Sequence, residues 1–150
     1  MLKHQLLHPQ ILAAVARAGH GSKILIADGN YPHSTKRGPN AELVYLNLAP
    51  GQVLVTDVLA ALLTAVPVEK AEVMDYARTG PHALPADPPI WADLRTLLRA
   101  TTPIELERVE RFAFYDAAST PDVCLTVATG DQRIYANLLL TIGVVQPAKP

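Results

Sequence analysis

His20, Asp28, Arg111, Tyr135 and Asn137 are the side chains whose types and places could do chemistry in this chain. His20 follows Gly19, where a helical pattern stops, and precedes an apolar run. A histidine there either complements the helix C-terminal dipole or exchanges protons near neutral pH at the mouth of a site. Asp28 closes that apolar run and precedes Gly29. It serves as an ordinary turn cap, or as a carboxylate at a strand's carboxyl end that accepts hydrogen bonds from hydroxyls. The two residues flank one short strand and so begin at opposite ends of it. Only a loop that folds back, or a neighbouring subunit, would bring them into one site.

Arg111 opens the segment Arg111-Phe112-Ala113-Phe114-Tyr115. An arginine at a helix start opposes the dipole, which predicts another partner, either a surface ion pair or a ligand. Tyr135 and Asn137 are alternate residues and face one side of an extended segment. A phenol beside a carboxamide supplies the donors and acceptors that grip a polyol, and also suits an edge strand or turn.

Familiar catalytic signatures are absent: the sequence holds no GxGxxG, P-loop, GxSxG or HExxH. Asp28 sits where the nucleophile of aspartyl phosphotransferases sits, but no second Asp follows at position 30. Lys23 opens its strand instead of ending it, which weakens a Schiff-base role. His4, His8, His33 and His82 lack metal-ligand spacing and read as surface residues, so neither metal nor cofactor is expected. The single Cys124 excludes an internal disulfide framework and a multi-cysteine zinc site, and reads as a small buried hydrophobe. A reducing, cytoplasmic setting is expected. Trp91 is read as a packing anchor, with stacking on a ligand as the alternative.

The 150 residues match the size of one domain spanning 1–150, and 13 Lys+Arg against 14 Asp+Glu give a net charge of -1. That balance argues against a nucleic-acid binder. Charged residues make up only 18%, which predicts burial of further surface in an oligomer. The most apolar run, 53–68, contains Asp57 and is too short to span a membrane. His4, His8, Pro9 and Gln10 interrupt the N-terminal apolar residues, so no signal peptide is expected.

Periodicity and turn residues predict helices over 9–18, 53–66, 89–99 and 112–118, and strands over 23–27, 42–48, 71–76, 105–109, 123–128 and 136–145. Loops rich in polar residues or proline fall at 30–40 and 80–89. Strands alternating with helices imply a three-layer α/β/α domain with a mixed, mainly parallel sheet of about six strands. Ligands in such sheets bind beyond the carboxyl ends of the strands.

In order and spacing, these segments resemble the ribose pyranase and fucose mutarotase family across the whole chain. The resemblance rests on Gly19-His20-Gly21 after the first helix, the strand into Asp28, and Tyr31-Pro32 in the following loop. It continues through Val55-Thr56-Asp57-Val58-Leu59, the arginine-aromatic segment at Arg111, and Thr129-Gly130-Asp131 followed by Tyr135-Ala136-Asn137. The arginine-aromatic segment and the Thr-Gly-Asp turn favour the fucose branch. The loops at 30–40 and 80–89 depart from the family pattern and bear on specificity. The resemblance implies that His20 is the catalytic proton donor or acceptor, and that Asp28, Arg111, Tyr135, Asn137 and the Ala136 backbone bind a monosaccharide. It also implies a homo-oligomeric ring, commonly a decamer, with sites between subunits. The implied reaction is cofactor-independent exchange of L-fucose anomers. D-ribose pyranase activity, or sugar binding without turnover, stands as the alternative.

Overall fold

The structure is a computed structural model that describes residues 2–147. Its elements follow in the order α1 (Pro9–Arg17), β1 (Lys23–Ala27), β2 (Glu42–Tyr45), α2 (Val55–Leu62), β3 (Val68–Met74), α3 (Ile90–Arg99), β4 (Leu106–Val109), α4 (Arg111–Ala117), β5 (Val123–Ala128) and β6 (Leu138–Ile142). The strands form one mixed sheet in the order β2-β5-β1-β6-β3-β4. β1 and β2 both run parallel to β5, and β3 runs parallel to β4. β6 lies in the middle, antiparallel to both β1 and β3.

One face of the sheet carries α1, α2 and α3. Ile11, Leu59, Leu62, Trp91, Leu94 and Leu98 bury against Ile24, Ile26, Val73, Val127, Leu138 and Leu140 in one cluster. Full burial of each such side chain contributes about 1.5–3 kcal/mol, so this layer dominates the stability. Trp91 is fully buried, as a packing anchor should be, and its indole Nε1 donates to the Tyr135 carbonyl at 3.0 Å. The opposite face is thinner. There Leu25, Met74 and Leu139 are covered by Phe114 and Ala118 from the α4 segment and by Tyr31 from the loop after β1. The third layer is therefore one short helix and a loop.

Several boundaries are tighter than periodicity implies. The apolar stretch 53–66 is helical only over α2, because the Asp57 carboxylate accepts the Leu54 N–H at 3.0 Å and fixes the start. Val66 precedes Pro67, whose ring disfavours helix at the residue before it, and the chain leaves through short-range turns from Leu63. β2 stops at Tyr45 instead of residue 48, where the chain turns through Gly51 at φ 77°. β3 begins at Val68 and ends at Met74, shifted from the expected 71–76 by its pairing with β6. β6 starts at Leu138 instead of Ala136, since Tyr135 adopts a left-handed backbone with φ 56°.

The turn before that point is locked. Asp131 is fully buried and accepts the Val55 N–H at 3.0 Å, which ties it to the first turn of α2. Arg133 closes on the same carboxylate and reaches Thr56 and Asp93. Burial opposes the charge on Asp131, but the Arg133 side chain, its N–H and the Val55 N–H outweigh that and hold the carboxyl below its usual range. Gly130 packs directly on the 49–53 segment, donating to the Val53 carbonyl and accepting from the Gly51 N–H. A Cβ at Gly130 would collide with the carbonyl oxygens of Gln52 and Ala49. Gly130→Ala is therefore expected to cost about 1–3 kcal/mol, read as a lower urea midpoint at unchanged m-value.

Candidate functional site

The strand register brings four chain segments to one edge of the sheet. Leu138, the first residue of β6, stands opposite Ile26 near the end of β1 and Val73 near the end of β3. Residues entering β6 therefore meet residues leaving β1 and β3. Val109, at the end of β4, pairs with Met74, so α4 begins at this edge as well. A cavity of about 520 Å³ opens here, lined by Asp28, Asn30, Tyr31, Arg111, Tyr135 and Asn137 among others. That volume falls within the ~300–1,000 Å³ of small-molecule sites.

Asp28 forms its floor. It is 3% exposed, its Oδ1 accepts the Asn30 N–H, and its Oδ2 accepts the Asn137 Nδ2, both at 2.9 Å. The Asn137 Oδ1 in turn accepts the Asp28 N–H at 2.9 Å. The carboxylate thus caps a turn and lines the cavity at once. Burial is the main influence on its pKa and raises it to about 6, with a smaller push from the Asp131 charge. The Asn30, Ala136 and Tyr31 backbone N–H groups work the other way and keep it from rising further.

The remaining walls are aromatic and basic. Tyr135 is half-buried, and its ring lies 6.1 Å from Tyr76 in an edge contact. Its left-handed backbone places it in a turn, so Tyr135 and Asn137 share the cavity without lying on one extended strand. Arg111 is exposed at the first position of α4 and has no ion-pair partner among the described residues. The Glu110 carboxylate offsets it at the helix start by accepting the Phe112 and Ala113 N–H groups. Tyr31 donates to the Lys36 carbonyl at 2.7 Å, and burial pushes its phenol well above the ordinary range.

His20 stands apart. It precedes β1, whereas Asp28 follows it, and roughly 17 Å of strand separates those ends. It is exposed, and its Nε2 donates to both oxygens of Glu69 on β3, at 3.1 and 3.0 Å. Within one chain, then, Asp28, Arg111, Tyr135, Ala136 and Asn137 come together, and His20 does not join them.

Two histidines, His8 and His33, are half-buried and differ from the surface reading, whereas His82 is exposed as expected. His33 is half-buried, donates from Nε2 to the Asp28 carbonyl at 2.9 Å, and has its pKa lowered mainly by burial. His82 lines the cavity from the proline-rich loop. Cys124 is only half-buried, with Sγ toward the Lys23 carbonyl. Asn30 beside Asp28 and Glu69 beside His20 are residues that sequence reasoning did not single out, and His33 was read only as a surface residue. The Asp-Gly-Asn turn carried a signal for Asn30, and nothing local marked Glu69. Among the described residues no group of three His, Cys, Asp or Glu is placed to hold a metal ion, and no helix is long and apolar enough to cross a membrane.

The comparisons with known proteins agree with this architecture. The chain is 33% identical over 154 residues to a fucose mutarotase of Danio rerio, covering 94% of this chain and 91% of that one. It is 35% identical over 146 residues to a D-ribose pyranase of Paracidovorax citrulli (strain AAC00-1), covering 96% and 98%. The solved structure of Bacillus subtilis RbsD complexed with D-ribose superposes with a TM-score of 0.75 at 26% identity, covering 97% of this chain and all of that one. Residues 1–145 match the RbsD / FucU transport protein family, and the chain belongs to that family.

Proposed function

We propose that the protein is a cofactor-independent sugar mutarotase that interconverts the anomers of L-fucose or a closely related monosaccharide. The observation that carries this reading is the reciprocal Asp28–Asn137 pair on the floor of a cavity walled by Arg111 and Tyr135. It offers hydroxyl acceptors and donors without a nucleophile or a phosphate cradle. Family membership, with a fucose mutarotase and a D-ribose pyranase among its relatives, supports the same chemistry.

Opening a cyclic hemiacetal requires a base to take the anomeric hydroxyl proton while an acid protonates the ring oxygen. Rotation about the adjoining bond and re-closure by the same groups gives the other anomer. Asp28 and Asn137 hold sugar hydroxyls, with the Ala136 N–H steadying the Asp28 charge. Arg111 stabilises negative charge that develops on oxygen. Tyr135 supplies or relays one proton, and His20 exchanges the other. Because His20 lies at the opposite sheet edge, it acts on the cavity of a neighbouring copy, with Glu69 fixing its imidazole. The assembly is a ring of subunits, a decamer by the family resemblance, working in the cytoplasm. D-ribose pyranase activity is the second reading, favoured by the 35% identity to a pyranase.

Saturation-transfer proton NMR with L-fucose and then D-ribose tests the reaction. Faster exchange between fucose anomers is expected, and its loss in His20→Ala. Exchange confined to ribose ring forms assigns the pyranase reaction, and no acceleration of either sugar overturns both readings. The composite site has its own test. His20→Ala and Asp28→Ala proteins are each inactive, but random co-assembly regains about one quarter of wild-type activity, because that share of interfaces joins two intact halves. No recovery on mixing would show that one chain supplies the whole site.

The raised pKa of Asp28 sets the pH dependence. Its carboxyl titrates near 6 in the folded protein, against ~4 when unfolded. Folding thus favours its protonated form, a contribution present below pH ~4 and lost as pH rises to about 6. Sugar binding follows the opposite trend, strengthening as the carboxylate forms. Asp28→Asn is expected to flatten the stability slope between those values, read by denaturant unfolding across pH. The same variant weakens sugar binding about 10- to 100-fold, the equivalent of a ~1.5–3 kcal/mol hydrogen bond to a charged group.

A further inference from the structure

A second cavity of about 400 Å³ adjoins the one over Asp28. The two share Pro81, His82, Arg111 and Tyr135, so they adjoin as two halves of one trough. Its far half is lined by Asp75, Glu110 and Phe112, none of which touches the first cavity.

Phe112 is 70% exposed in the first turn of α4, while its neighbour Phe114 is fully buried in the core. The fold does not need the Phe112 ring. The carboxylates beside it are each engaged on one oxygen. Asp75 uses Oδ1 for the Arg78 guanidinium and the Tyr76 N–H, and Glu110 uses Oε2 for two α4 amides. Among the described residues, the second oxygen of each has no hydrogen-bond partner, leaving acceptors for hydroxyl donors. The Arg78 guanidinium on Asp75 and the Arg111 guanidinium in the shared wall balance the two carboxylates, so the lining favours no net charge on a ligand, while an exposed aromatic face takes the C–H face of a ring. The chemistry that satisfies all three is a neutral polyhydroxylated ring.

We infer that the second cavity is a subsite for a second sugar ring, so that the protein also accepts reducing disaccharides. This rests on the mutarotase reading. The reducing ring lies over Asp28 and Asn137, and its glycosyl substituent passes between Arg111 and Tyr135 onto Phe112. Only the hemiacetal of the reducing ring opens and closes, and the glycosidic bond stays intact.

The test is saturation-transfer NMR on the intact protein with L-fucose and with galactosyl-β(1→4)-L-fucose, repeated with Phe112→Ala. Both sugars are expected to show accelerated anomer exchange. Phe112→Ala leaves the fucose rate unchanged and lowers kcat/KM for the disaccharide about fivefold or more. Acceleration of fucose alone overturns the subsite and leaves the mutarotase reading standing. A Phe112→Ala effect equal on both sugars, or absent on both, overturns the subsite as well. No acceleration of either sugar overturns the two together.

Discussion

The arrangement of the site depends on one reciprocal pair, Asp28 with Asn137. A buried carboxylate without a cation beside it must be held by hydrogen bonds or give up its charge. Asn137 provides both halves of that support, donating to the carboxylate and accepting from the backbone N–H of the same residue. The carboxamide thereby continues the β1–β6 pairing one step beyond the last strand residues. That step exists because β6 runs against its neighbours. Were it parallel to β1, the segment entering it would lie at the far edge of the sheet, and Tyr135, Ala136 and Asn137 would lose contact with Asp28.

Much of this was legible in the sequence. The order of helices and strands followed from apolar periodicity and turn residues, and the carboxyl edge was the expected place for a site. Asp28, Arg111, Tyr135 and Asn137 do converge there. What local patterns did not convey was the route by which they meet. Tyr135 and Asn137 suggested alternate positions on a strand, whereas a left-handed residue and a locked turn place them. His33 read as a surface residue because its burial comes from the fold-back of the loop onto the Asp28 carbonyl. The length of α2 was overestimated since apolar content persists past the point where Pro67 ends the helix. His20 and Glu69 meet only because β3 and β1 each pair with β6 and bring their amino ends together.

The proline-rich loop shows how distant side chains set the cavity wall. Asp87 accepts the Tyr76 hydroxyl at 3.0 Å and the Arg108 guanidinium at 2.7 Å, with Arg95 at 3.6 Å. Arg78 covers the Tyr76 ring and bonds to its carbonyl. Tyr76 packs against both Trp91 and Tyr135. The loop is therefore clasped to the end of β3, to β4 and to α3, and the orientation of Tyr135 is shared among residues that do not line the cavity over Asp28.

The clasp at Asp131 has a thermodynamic consequence for the cavity wall. With Arg133, Val55 and Gly130 fixing the turn before β6, the backbone that presents Tyr135, Ala136 and Asn137 is ordered by contacts within the chain. Little conformational entropy of that backbone remains to be lost, so the ordering cost that flexible loops add to association is already met by the fold.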